Sequence, residues 1–73
     1  MYRETEGKLT PRQREVMDLL GLGFSSREMA ERLFISVKTV ESHQQSLRLL
    51  LGVDTGRRLI VVAARMAVKR SGS

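Results

Sequence analysis

Between Phe24 and Leu50 the chain reads FSSREMAERLFISVKTVESHQQSLRLL, two helix starts spaced so closely that only a short turn fits between the helices. Ser25 is followed three residues later by Glu28, so each side chain can satisfy a free backbone N–H at the other's end of a first turn. Met29, Ala30 and Leu33 then give that helix one apolar stripe, with Arg27, Glu31 and Arg32 left for solvent. The stripe breaks at Phe34-Ile35, and Ser36 offers a second N-cap oxygen. The helix it opens is two-faced: Val40, Leu47 and Leu51 gather on one side at 100° per residue, and Lys38, Glu41, Ser42 and Gln45 fall on the other.

Two capped helices joined by a turn of about three residues have the shape of a helix-turn-helix, which points to DNA. The charge agrees. Thirteen Lys and Arg against eight Asp and Glu give a formal net charge of +5, and most of the cations are Arg, whose planar fork suits phosphates and base edges. A basic surface on a small domain also serves solubility, so charge alone decides nothing. With no cysteine there is neither a disulfide framework nor a thiolate metal site. No run approaches the roughly 20 apolar residues of a membrane span, and MYRETEGK lacks the apolar core of a signal peptide, so a cytoplasmic home and no membrane partner are expected.

A chain of 73 residues makes one domain. Residues 1–8 are expected to be a flexible lead-in, 9–70 the folded domain and 71–73 a tail. Thr10-Pro11-Arg12-Gln13 is a helix start, since Thr can cap, Pro suits the first helical position and Gln can complete a capping box. Val16, Met17, Leu19 and Leu20 follow as a buried stripe, and Gly21-Leu22-Gly23 stops the helix with a Gly available for a left-handed C-cap. Gly52 to Gly56 marks the next turn, where Asp54 or Thr55 can cap a last helix. The expected fold is all-α, a compact four-helix bundle with helices about 11–21, 26–33, 37–51 and 56–69.

The last helix is apolar nearly all the way round. Leu59, Val62, Ala63 and Met66 make one stripe for the domain's own core, while Ile60, Val61, Ala64, Ala67 and Val68 make a second that so small a domain cannot also bury. A second copy of the same helix is the simplest cover, and a further domain or another protein is the alternative.

A helix lying in the major groove needs polar side chains on its outer face near its N-terminal end and a dry inner face against a supporting helix. Ala30 allows a close crossing, which Val40 can plug. Lys38 and the Thr39 hydroxyl are placed to meet phosphates together with free backbone N–H groups. Glu41, Ser42 and Gln45 come next: Gln can bond adenine at two points, Glu can accept from a cytosine amino group, and Ser is permissive. An isolated helix with such a face would usually be no more than wet. The tandem caps reverse that expectation. His43, alone and on the edge of the buried face, has no second ligand for a metal and no nucleophile to serve, so packing and a local hydrogen bond are expected of it.

These residues resemble the C-terminal DNA-binding domain of LuxR-type transcription regulators, also called the GerE or FixJ/NarL type. The likeness runs from Leu9 to about Met66 through LTPRQREVMDLL, GLGFSSREMAERLFISVKTVESH and LGV. It implies a four-helix bundle whose third helix enters the major groove and whose fourth dimerises. By the same resemblance Lys38 and Thr39 contact the DNA backbone, with Ser26 and Arg27 beside them, and Val40 is a buried or groove-edge apolar residue counted with the base readers Glu41, Ser42 and Gln45. The chain departs from the pattern in having Gln13 for Glu, Ser26 for Asn, Leu50 for Lys and Gly56 for Arg.

Sequence-specific binding of double-stranded DNA at inverted-repeat half-sites, as a homodimer through Ile60, Val61, Ala64, Ala67 and Val68, is therefore the expected function, with RNA polymerase a further partner. No cofactor and no metal are expected. An enzyme is the least expected answer, since there is no glycine-rich phosphate loop, no clustered metal ligands and no nucleophile elbow. A protein-interaction module using the last helix is the rival.

Overall fold

The computed structural model describes residues 8–71. Four helices follow one another: α1 (Pro11–Gly21), α2 (Ser26–Leu33), α3 (Val37–Leu51) and α4 (Gly56–Ser71). Among the described residues there is no strand, as expected of an all-α chain. Apart from Lys8, the expected lead-in lies outside the described residues, as do the last two residues of the expected tail.

Each helix starts where a hydroxyl can take a free backbone N–H. The Thr10 hydroxyl accepts from the Gln13 N–H at 3.1 Å while Gln13 Oε1 accepts from the Thr10 N–H at 3.0 Å. Ser25 and Glu28 repeat the exchange at 3.2 and 2.8 Å. Ser36 takes the Thr39 N–H at 3.0 Å. At α4 the choice falls on Thr55, whose Oγ1 accepts from the Arg58 N–H at 3.2 Å. The carboxyl of Glu28 is held below its ordinary pKa, first by the Ser25 backbone N–H and then by the Ser25 hydroxyl, against a small opposing effect of desolvation. A lowered folded pKa means the bond stabilises above the unfolded value and is lost as pH falls through the folded one. Ser25→Ala is expected to cost about 1 kcal/mol, seen as a melting temperature lower by about 4–8 °C.

Three of the helices also end alike. At α1 the Gly23 N–H donates to Leu20 O and the Phe24 N–H to Leu19 O at 3.0 and 3.1 Å, with Gly23 at φ 92°. That is a Schellman closure with glycine in the left-handed position. Gly52 supplies the same at α3, with φ 67° and the Val53 N–H bonded to Arg48 O at 3.0 Å. At α2 the left-handed residue is Phe34, at φ 57° and ψ 44°.

Every helix contributes to one core. Val16, Met17 and Leu20 of α1 meet Met29 and Ala30 of α2, Val40 and Leu47 of α3, and Leu59, Val62, Ala63 and Met66 of α4. α4 packs chiefly along α1, and α3 chiefly on α2. The α1–α4 crossing is tight because Gly21 lies in it: a Cβ built there would sit 2.7 Å from the Ala63 carbonyl oxygen and 3.3 Å from Ala67 Cβ. Gly21 thus serves helix packing, and the left-handed cap expected of this segment falls to Gly23.

Candidate nucleic-acid interface

α3 is held by its inner face. Val40 and Leu47 are both 0% exposed, and Leu51 packs on the core's edge. Fixing those three positions leaves the opposite side facing solvent, where Lys38, Thr39, Glu41, Ser42 and Gln45 are all exposed. Among the described residues no side chain buries the outer N-terminal half of α3, the part that a helix lying in a groove presents to base edges.

Val40, expected to plug the helix crossing and as a buried or groove-edge residue counted with the base readers, is 0% exposed and belongs to the core, which takes the buried alternative and removes it from the base readers. An apolar side chain fully covered by its own domain cannot touch a base edge without opening the core.

At the start of α3 the Ser36 and Thr39 hydroxyls lie 2.8 Å apart. Ser36 Oγ also accepts from the Thr39 N–H, and either hydroxyl can donate to the other. Lys38 and Thr39 are both exposed at this end of the helix, an ammonium and a hydroxyl open to an anionic oxygen. On α2, Arg27 is exposed and Ser26 half-buried. Ser26 lines a shallow cleft together with Leu20, Phe24, Gln44 and Leu59. The two residues therefore sit in the first turn of α2 but differ in reach. His43 is half-buried, as its place on the helix predicts.

The second stripe of α4 divides in two. Ile60, Val61 and Val68 are 46%, 47% and 71% exposed, whereas Ala64 and Ala67 are half-buried. Ala67 is drawn in because it borders the close approach to Gly21. The stripe is therefore an apolar surface with a shallow middle and prominent branched side chains at its margins.

Three features are absent from the sequence reading. Arg32 lies over the Phe24 ring at 4.8 Å from its centroid, tying α2 to the turn before it. Arg48 donates to the Asp54 carbonyl and braces the turn between α3 and α4. Phe34 is 94% exposed. Only the last left a local signal, an aromatic at the position after a helix where glycine is usual. Among the described residues no group of three His, Cys, Asp or Glu could hold a metal, and no helix is long and apolar enough to cross a membrane.

Residues 7–63 match the family described as bacterial regulatory proteins, luxR family. Similar proteins include the "Oxygen regulatory protein NreC" of Staphylococcus aureus strains JH9 and JH1, each 37% identical over 57 residues, which are 78% of this chain and 26% of the relative. The chain thus spans about a quarter of the length of the curated relatives it matches.

Proposed function

This chain belongs to the luxR family of bacterial regulatory proteins, a family of DNA-binding transcription regulators, and from that premise we propose how its residues engage a duplex. α3 lies in the major groove. Lys38, the Thr39 hydroxyl and Arg27 meet phosphates, with Ser26 a shorter-reaching neighbour. Glu41, Ser42 and Gln45 face base edges, where the Gln45 amide suits the two-point pattern of adenine and Glu41 an amino group of cytosine. The observation that carries this reading is the division of α3 into an inner face without exposed surface at Val40 and Leu47 and an uncovered polar face at its N-terminal half.

Two copies pair through the exposed margin of α4, which sets two recognition helices about one helical turn apart on an inverted repeat. RNA polymerase is then the partner through which bound DNA is read into transcription, and the cytoplasm the compartment. The second reading, a protein-docking module, rests on Ile60, Val61 and Val68 alone. It requires tight association with another protein and no salt-dependent retention on DNA.

Selection of bound sequences from a random duplex pool tests the reading, since enrichment of a two-fold symmetric site requires both readout and pairing. On the enriched site Lys38→Ala is expected to weaken preferred and random duplexes about equally and to flatten the salt dependence by about one phosphate contact. Gln45→Ala is expected to cost about 1–3 kcal/mol on the preferred site and little on random DNA. Equal loss on both duplexes, with unchanged melting, moves Gln45 to the backbone.

A further inference from the structure

Phe34 works against the fold twice. Its backbone is left-handed, at φ 57° and ψ 44°, a conformation that a Cβ opposes and that Gly or Asn adopts at little cost. Its ring is 94% exposed, so among the described residues nothing rewards an aromatic there. The backbone conformation itself has a purpose. The Phe34 and Ile35 N–H groups both turn back to the Ala30 carbonyl, the latter at 3.0 Å, and close α2 so that Ser36 can open α3. That closure requires a left-handed residue but not a phenyl ring. Phe24 shows the contrast: half-buried, it packs against the core and carries Arg32 on its face. An unfavourable conformation kept without any packing return points to a role outside the domain.

We infer that Phe34 is a DNA contact at the rim of the major groove, its ring laid on an apolar face of the duplex, a deoxyribose or a thymine methyl, beside the phosphates met by Lys38 and Thr39. The inference rests on the DNA reading above. Phe34 lies two residues before the cap of α3, at the helix end that carries the exposed Lys38 and Thr39. Val37 is the one other exposed large apolar side chain of that turn, flanked by exposed Ser36 and Lys38. A protein partner needs a broad apolar patch of some hundreds of square ångströms. One ring among hydroxyls and a cation matches a sugar–phosphate edge, where apolar carbon and anionic oxygen alternate.

The test compares wild type with Phe34→Asn, Phe34→Gly and Phe34→Tyr on the selected duplex, with melting measured for each and Lys38→Ala as reference. Asn and Gly are expected to melt at or above wild type, because the strain is relieved, yet to bind DNA about three- to tenfold more weakly. Tyr is expected to bind as wild type. Replacing thymine by uracil along the site reproduces the loss in wild type but not in Phe34→Asn if the methyl is touched; no effect assigns the deoxyribose. Wild-type affinity in the Asn and Gly variants overturns the contact and leaves the ring to a protein partner. So does a lower melting temperature in both, since the ring would then be serving the fold. Failure of wild type itself to bind any duplex, with Lys38→Ala indistinguishable from it, removes the DNA reading instead.

Discussion

Gly21→Val is expected to lower the stability of the domain by about 3 kcal/mol, the upper end for overpacking a tight core. Whole domains of 73 residues are stable by roughly 4–11 kcal/mol, so the loss is a large share of the total. The melting temperature should fall by roughly 12 °C or more. The cause is specific. A Cβ at position 21 meets the Ala63 carbonyl oxygen at 2.7 Å and its carbon at 3.0 Å, both backbone atoms that yield only if α4 moves off α1. Gly21→Ala sharpens the test, because helix propensity and close contact act in opposite directions. Propensity favours Ala by about 1 kcal/mol in a helix, so a stabilised Gly21→Ala variant would show that the crossing is looser than described. Gly56→Ala is the control: nothing lies within 4 Å of its added Cβ, and little change is expected.

The second large effect concerns occupancy of DNA and not folding. Val61→Glu and Val68→Glu are each expected to abolish cooperative binding to a duplex with two half-sites, weakening it by about tenfold or more, while single half-site binding stays near wild type. Both side chains are exposed, at 47% and 71%, so a carboxylate there keeps its water in the monomer and melting should hold within a few degrees. On pairing, two carboxylates would face each other across the two-fold axis and lose that water. Ala64 is a poorer probe, because it is half-buried and Glu there would strain the domain itself. The interface is small, so pairing in free solution is expected to be weak and to strengthen on DNA, where the second contact becomes intramolecular. Cooperativity unchanged in both variants removes α4 from the interface and hands its apolar margin to another protein.

What could be read from residues alone is what is decided within about four positions along the chain. Thr10 with Gln13, Ser25 with Glu28, and Ser36 before Thr39 are local exchanges between a side chain and a backbone N–H, so the starts of α1, α2 and α3 needed no tertiary information. The two faces of α3 and the core stripe of α4 follow from helical period and polarity in the same way. The polar face of α3 was legible for that reason, as was the excess of apolar surface on α4.

Distances between elements far apart in sequence were not legible, and they settled the rest. Gly21 reads as a helix stop until α4 is laid across it and its missing side chain becomes the reason for the contact. Val40 reads as an inner-face residue either buried or at the groove edge, and the packed core decides for burial. The second stripe of α4 reads as one surface, yet Ala64 and Ala67 are half-buried, Ala67 beside Gly21 of α1, while Ile60, Val61 and Val68 stay in water. Arg48 carries no pattern that announces the Asp54 carbonyl, because a turn closed by Gly52 must first bring that oxygen within reach. Local hydrogen bonding and period determine which segments are helices and which faces are apolar. Which of those faces another helix covers depends on how closely the helices approach, and approach is a property of the packed whole.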